Sequence, residues 1–160
     1  MGSNIEAEQN FPASIELLNH FGRVVAASEV WETQPIGCTA SGNFLNAAVL
    51  LETTLDALAI MKVAIPYVES TLKRVRTNDK HAPRTIDVDL VLFNAEVLDI
   101  DRHYVPAPQI LDWSFLAAQL AQIAPDYVHP ESGETLAQIA HRLTGDAACL
   151  VRRDDVVLIH

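Results

Sequence analysis

Residues 69–93 read ESTLKRVRTNDKHAPRTIDVDLVLF and carry the most distinctive pattern of the chain. The stretch holds five of the eleven Lys and Arg residues, and Asp87 and Asp89 follow them two positions apart. Ile86 to Phe93 alternates in polarity and is rich in β-branched residues, which is typical of a strand. Since side chains alternate across a strand, both aspartates are predicted to lie on one face.

Two carboxylates on one face suit a hard cation. Mg²⁺ prefers one or two carboxylates together with phosphate oxygens, and arginines bind phosphate through paired N–H donors. A D-x-D pair alone is more often a solvated strand face, and a basic stretch is often only a connector. The combination nevertheless favours phosphoryl-group chemistry. Four cationic residues are expected to supply charge for a polyphosphate: Arg74, Arg76, Lys80 and Arg84.

Length and composition predict a single globular domain over residues 1–160. With 49% apolar side chains the chain can bury one sizeable core, and it contains no repeat or linker. A net charge of −10 argues against a nucleic-acid or anionic-membrane partner, because phosphate neutralisation needs an excess of Lys and Arg. The basic stretch is a local exception, sized for a small anion rather than a polymer.

Cysteine usage and hydropathy predict a cytoplasmic protein. Cys38 and Cys149 form no C-x-x-C motif, so both are expected to be inert thiols in a reducing compartment. The sequence has no apolar run near twenty residues and no signal-peptide pattern.

Periodicity outside the central stretch predicts alternating helices and strands. Their order favours an α+β layered domain, with helices packed on a largely antiparallel sheet. The predicted elements are a helix from Asn10 with Pro12 near its start, strands over 24–33 and 43–53, a helix over 54–72 kinked or restarted at Pro66, a hairpin partner EVLDI at 96–100, a helix from Ser114, a helix ending near Gly145, and a strand over 154–160.

The segment PRTIDVDL at 83–90, preceded by RVR at 74–76, resembles the signature of the 6-hydroxymethyl-7,8-dihydropterin pyrophosphokinase family. This family transfers pyrophosphate from ATP to a pterin alcohol in folate synthesis. The resemblance extends from Gly2 to about Ala140 and is most specific from Arg74 to Leu92. It implies a ferredoxin-like α/β/α sandwich.

The resemblance also implies roles for individual residues. Asp87 and Asp89 would hold two Mg²⁺ ions with ATP as co-substrate, while Arg74 and Arg84 would stabilise charge on the transferred group and contact the nucleotide. Glu69 and Arg102 match further nucleotide-contacting positions. The positions that match pterin contacts are Thr33, Gln34 and Ile36 in or beside a turn, Phe44 and Asn46 on the strand that follows, and Phe115 as a second stacking aromatic.

The chemistry of these residues suits a flat heteroaromatic ring, which needs stacking on its faces and amide-like partners at its edge. On the residues alone, Asn46 is equally a hydrogen-bonded strand residue, and Phe115 is more commonly part of a buried stripe.

Several positions depart from the family pattern. The apolar strand that usually precedes GSN is almost missing, and Lys73 replaces a Gly before RVR, which predicts a stiffer backbone there. His81 occupies a position at which the family commonly has Trp, and it is not assigned to the site. Ala107 and Trp113 replace a usual His and Arg, which predicts slow transfer with the pterin still bound. Trp113 is then either an apolar lid or an ordinary packing residue.

Two alternatives to this enzyme stay open. One is a binding module that keeps the ligand pocket without turnover. The other is a pyrophosphokinase that acts on a different hydroxymethyl heterocycle.

Overall fold

The computed structural model describes residues 1–33, 43–76, 82–143 and 150–158. Contacts divide the chain into two compact units, one formed by Met1–Asp89 with Cys149–His160 and the other by Leu90–Ala148. The single domain expected from the length of the chain stays a prediction.

The first unit contains a four-stranded and a two-stranded antiparallel sheet. The two-stranded sheet pairs β2 (Arg23–Ala27) with β5 (Val49–Glu52). In the larger sheet the order is β1 (Gly2–Ser3), β4 (Phe44–Asn46), β3 (Trp31–Thr33) and β8 (Leu150–Arg152).

Both long strands predicted for this unit are interrupted, so the prediction of two continuous strands is wrong. Residues 24–33 divide into β2 and β3, and residues 43–53 divide into β4 and β5. The two interruptions meet: Ser28 N–H donates to the Ala48 carbonyl at 2.9 Å, and Ala48 N–H donates to Ser28 Oγ at 2.9 Å. This exchange satisfies the backbone where each chain segment passes from one sheet to the other.

Helix α1 (Ala7–Leu18) packs on β1 and β2 and buries Phe11, Ile15 and Leu18. Pro12 lies inside the helix, so its predicted place near the start is wrong. The helix begins earlier in the sequence than the predicted Asn10, because the backbone N–H groups of Gln9 and Asn10 already donate to the Glu6 carbonyl.

The helix predicted over 54–72 forms as three consecutive helical segments. These are α2 (Ala57–Ala59), a π-helical turn (Ile60–Ala64) and α3 (Ile65–Thr71), with Pro66 in the first turn of α3. Proline has no N–H to continue the ladder, and a widened turn accommodates this loss. The predicted restart of the helix at Pro66 is therefore confirmed.

The strand predicted over Ile86–Phe93 does not form a ladder. Within the first unit it makes one antiparallel bridge, in which Gly2 and Asp87 exchange backbone hydrogen bonds of 2.8 and 2.7 Å. Its period of two is nevertheless present, because Ile86 and Val88 are buried while Asp89 is exposed. Pairing is short because β1, which it meets, has only two residues.

The second unit begins with the hairpin of β6 (Leu98–Ile100) and β7 (His103–Val105). The partner of β6 is therefore β7, and its predicted pairing with the 86–93 stretch is wrong. Asp101 and Arg102 adopt φ values of 53° and 69°, the left-handed conformation that allows such a tight turn.

A 3₁₀ turn (Pro108–Leu111) leads into α4 (Ser114–Ile123), which packs on α5 (Leu136–Arg142). The predicted helix start at Ser114 is confirmed. Thr135 and Gln138 form a capping box at the start of α5. Gly145, the predicted end of this helix, lies outside the described residues.

The last strand lies earlier than predicted, at Leu150–Arg152 instead of 154–160. Asp154 and Asp155 form a turn, because their carboxylates accept hydrogen bonds from the preceding Arg152 and Arg153. Antiparallel strands with helices packed on them confirm the predicted α+β class. No helix in the described part of the chain has the length and apolar character required to cross a membrane.

Candidate active site

The Asp87 carboxylate lies between two arginines. Its Oδ1 is 2.6 Å from Arg74 Nη1, and its Oδ2 is 2.5 Å from Arg84 Nη1. The side chains of Arg74 and Arg84 are only 12% and 18% exposed. Charge-assisted hydrogen bonds are strong in such a partly buried setting. Asp87 therefore fixes two guanidinium groups at one point in the first unit.

Glu69, at the end of α3, contacts Arg74 of this pair and also Arg76. It is buried, its Oε2 is 2.6 Å from Arg76 Nη2, and its Oε1 is 3.5 Å from Arg74 Nη1. Oε1 also accepts the Val88 N–H at 3.3 Å. A buried acid requires such partners, because an unpaired charge there is costly. Glu69 thus ties the arginines to the segment that carries the aspartates, and its contact with a nucleotide stays a prediction.

Asp89 has different surroundings. Its side chain is exposed and makes no hydrogen bond or ion pair with any residue that the structure describes. Two carboxylates at this spacing fit Mg²⁺, which completes its shell with phosphate oxygens and water. No group of three or more His, Cys, Asp or Glu side chains that could hold a metal ion occurs among the described residues, and the assignment of Mg²⁺ to this pair stays a prediction.

An aromatic ring adjoins the arginine cluster, and two polar side chains lie on the same pair of strands as that ring. The Arg84 guanidinium carbon lies 5.4 Å from the centroid of the Phe44 ring, within the range of a cation–π contact. On the neighbouring strand ends, Asn46 Nδ2 donates to Thr33 Oγ1 at 2.8 Å. The structure therefore brings Phe44, Arg84 and Asp87 together.

Four candidate or flanking residues lie outside the described part of the chain. They are Gln34, Ile36, Lys80 and His81. The expected inert thiols Cys38 and Cys149 lie outside it as well.

The remaining predicted site residues belong to the second unit. Arg102 lies in the β6–β7 turn, where its N–H donates to Asp99 Oδ1 at 3.1 Å. Phe115 lies in the first turn of α4 and stacks on Trp113, with ring centroids 5.6 Å apart and planes at 23°. Trp113 is 45% exposed, whereas Ala107 is buried. Trp113 therefore packs against one of the predicted stacking aromatics.

Lys73 adopts a φ of 59° directly before Arg74. This left-handed conformation favours glycine, because a side chain there crowds the backbone. Lys73, where the family usually has Gly, therefore strains the backbone at the point where the chain leaves α3.

Sequence reasoning missed a second charged cluster in the first unit. Arg153 pairs with Glu32 at 3.0 Å and with Glu8 at 2.9 Å, although more than a hundred residues separate Arg153 from either acid in sequence. No pattern in the local sequence predicts such a pairing.

An α+β protein that holds one aspartate between two arginines beside an aromatic ring, with a second aspartate two positions further on, has the kind of site that phosphoryl-transfer enzymes use with Mg²⁺. Residues 1–125 match the family model described as 7,8-dihydro-6-hydroxymethylpterin-pyrophosphokinase (HPPK). The chain therefore belongs to this family of ATP-dependent, ferredoxin-like α+β enzymes, and the resemblance predicted from residues 74–92 is confirmed.

Individual relatives agree with this assignment. A 2-amino-4-hydroxy-6-hydroxymethyldihydropteridine pyrophosphokinase of Bacillus subtilis is 32% identical over 126 residues, which are 77% of this chain and 74% of the relative. An enzyme of the same description from Methylorubrum extorquens is 35% identical over 121 residues, 76% of this chain and 74% of the relative. The folic acid synthesis protein fol1 of Pneumocystis carinii is 28% identical over 145 residues, which are 89% of this chain but only 19% of that longer protein.

Proposed function

We propose that this chain transfers pyrophosphate from ATP to the hydroxymethyl group of 6-hydroxymethyl-7,8-dihydropterin and releases AMP, as a step of folate biosynthesis. The observation that carries the proposal is the cluster in which Arg84 contacts both Asp87 and the Phe44 ring. It joins a site suited to phosphate with a surface suited to a flat ring.

The phosphate part of the site is supplied by two acids and two arginines. We assign two Mg²⁺ ions to Asp87 and Asp89; when bound, they neutralise phosphate charge and align the transferred group. Arg74 and Arg84 stabilise negative charge on that group. Glu69 holds Arg74 and Arg76 toward the nucleotide.

The pterin part of the site provides faces and edges for a ring. Phe44 and Phe115 are the proposed stacking residues, and Asn46 with Thr33 provides amide and hydroxyl groups for the polar rim. Gln34 and Ile36 extend this surface, and Arg102 contributes to nucleotide binding.

In the proposed reaction the pterin hydroxymethyl oxygen attacks the β-phosphorus of ATP and loses its proton. The bond between the β-phosphorus and the oxygen that joins it to the α-phosphate breaks, and AMP leaves. These side chains align the reactants and balance charge, without forming a covalent bond themselves. We place the reaction in the cytoplasm, where ATP is supplied and where the two cysteines need no disulfide partner.

The test is direct. The protein is mixed with Mg²⁺, ATP and the reduced pterin alcohol, and AMP and pterin pyrophosphate are measured. Formation of both products supports the proposal. Calorimetric binding of both ligands without product would identify a binding module instead, and AMP release with another hydroxymethyl heterocycle alone would identify a different acceptor.

A further inference from the structure

The described C-terminal residues, 150–158, lie beyond the part of the chain that the family model matches and extend the larger sheet. Strand β3 is paired on both sides, with Glu32 opposite Val151 of β8 and opposite Leu45 of β4. The C-terminal segment therefore adjoins the strand pair that carries Phe44.

Arg153 fixes this segment through several charged contacts. Its guanidinium group reaches Glu32 at 3.0 Å and Glu8 at 2.9 Å, and it binds both carboxylate oxygens of Asp155 at 2.8 Å. Its backbone N–H donates to the Val30 carbonyl at 2.9 Å. The side chain is 24% exposed, so the network is better shielded than an ordinary surface pair.

Glu32 connects Arg153 to the strand ends of the candidate pterin site. Its Oε2 accepts from Arg153, and its Oε1 accepts from Asn43 Nδ2 at 2.5 Å. Asn43 directly precedes Phe44 in the chain. Because both oxygens are held, the Glu32 side chain cannot rotate without breaking a contact on one side.

Two acids of this network, Asp155 and Glu8, have lowered pKa values. Arg153 lowers the pKa of the Asp155 carboxyl to about 2, chiefly by donating hydrogen bonds to it. The pKa of Glu8 is also lowered, first by a backbone hydrogen bond and then by Arg153. The ion pairs are therefore formed under the conditions of a transferase assay.

We propose that Arg153 is a positioning residue for pterin binding, which acts through Glu32 and Asn43 on the β3–β4 strand ends that carry Thr33, Phe44 and Asn46. This inference rests on the proposed function. The proposed role depends on the planar guanidinium group of Arg153, whose several N–H donors reach three carboxylates at once. A lysine ammonium group is a point charge and cannot make all of these contacts.

The test compares the steady-state constants of Arg153→Ala with those of the wild-type chain. Substitutions within coupled networks of residues change binding constants by roughly twofold to thirtyfold. We therefore expect a rise of that size in KM for the pterin, with KM for ATP and kcat unchanged. The pterin KM of Arg153→Lys is expected to lie between those of the wild type and Arg153→Ala.

The matched control is Arg23→Ala, which removes an exposed 2.8 Å ion pair with Glu52 between β2 and β5 of the same unit. It should leave KM for the pterin unchanged. If Arg153→Ala does not fold, a double-mutant cycle with milder changes replaces it. The cycle consists of Arg153→Lys, Glu32→Gln and the double variant. If Arg153 acts through Glu32, the double variant will show little more effect than either single variant.

The outcomes separate this inference from the proposed function. A wild type that forms no product and binds no pterin, judged by fluorescence titration with 6-hydroxymethyl-7,8-dihydropterin, overturns the proposed function. An active wild type with an unchanged pterin KM in Arg153→Ala and Arg153→Lys overturns only the positioning role. Equal losses for pterin and ATP overturn it too, because they indicate general destabilisation.

Discussion

Asp87 and Asp89 lie on one face, but their side chains have different surroundings. Asp89 is exposed and makes no hydrogen bond or ion pair with a described residue, so Asp89→Ala should abolish transfer while changing the free energy of unfolding by less than about 0.5 kcal/mol. Asp87→Ala leaves Arg74 and Arg84 without their carboxylate and should lower stability by about 1–3 kcal/mol. Urea unfolding and AMP release measure the two effects. Wild-type turnover in Asp89→Ala would reject the metal assignment.

The prediction that transfer is slow rests on Ala107 and Trp113, which replace the usual His and Arg of the family. A charge-assisted contact is worth roughly 1.5–3 kcal/mol, so restoring both usual side chains by Ala107→His and Trp113→Arg should raise kcat by about tenfold or more. Trp113 is the more accessible change, because it is 45% exposed whereas Ala107 is buried. Trp113→Phe is the control that keeps an aromatic ring beside Phe115.

The prediction for these two positions fails in either of two ways. The double variant gains no rate, or the wild type already turns over as fast as a relative with the usual His and Arg. In both cases residues 106–115 do not limit catalysis.

At the scale of elements, the junction between α3 and the arginines contains a strained residue. Lys73 has a φ of 59°, and a side chain in this region costs about 1 kcal/mol or more. Lys73→Gly should therefore raise the free energy of unfolding by about 0.5–1 kcal/mol. Lys62→Gly, the same change inside the preceding helical segment, should lower it by a similar amount. Equal losses in the two variants, measured by urea unfolding, would contradict a strained junction.

The elements also show which patterns the sequence can specify. Apolar periodicity located α1 and the start of α4, and the missing N–H of Pro66 located the restart at α3. The same periodicity predicted continuous strands where Ser28 and Ala48 interrupt them. Their exchange of hydrogen bonds joins positions twenty residues apart, so no local window contains it.

At the scale of the whole molecule, stability should depend on the protonation of His129. This residue is 1% exposed, and its Nδ1 accepts the Ser132 N–H at 3.3 Å, while its Nε2 has no partner in the described part of the chain. Burial lowers its pKa below 6.5, more strongly than nearby Glu131 and Glu134 raise it. The unfolded chain therefore takes up this proton at a higher pH than the folded protein.

It follows that the free energy of unfolding should fall as the pH is lowered from about 7 to about 5. His129→Asn removes the titrating group and keeps an oxygen acceptor near the turn, so it should flatten this slope even if it is less stable at pH 7. His20→Gln, a change at an exposed histidine, is the matched control for the substitution itself. A full slope in His129→Asn, measured by urea unfolding across this range, would exclude His129 as its source.

A short stretch of the sequence was enough to predict the family of this protein. The segments RVR and PRTIDVDL place arginines and two aspartates at fixed spacing, and this local pattern sufficed to predict the family that residues 1–125 match. It also determined the α+β class, because apolar periodicity is a property of short windows.

How those residues are held could be seen only in the folded protein. The ladder expected over Ile86–Phe93 is reduced within the first unit to one bridge with Gly2, and Glu69 is buried beneath the arginines. The contacts between Arg153 and Glu32 join positions 121 residues apart. Such contacts depend on which distant segments pack together, and the energy of packing is set by the whole fold rather than by any neighbouring residue.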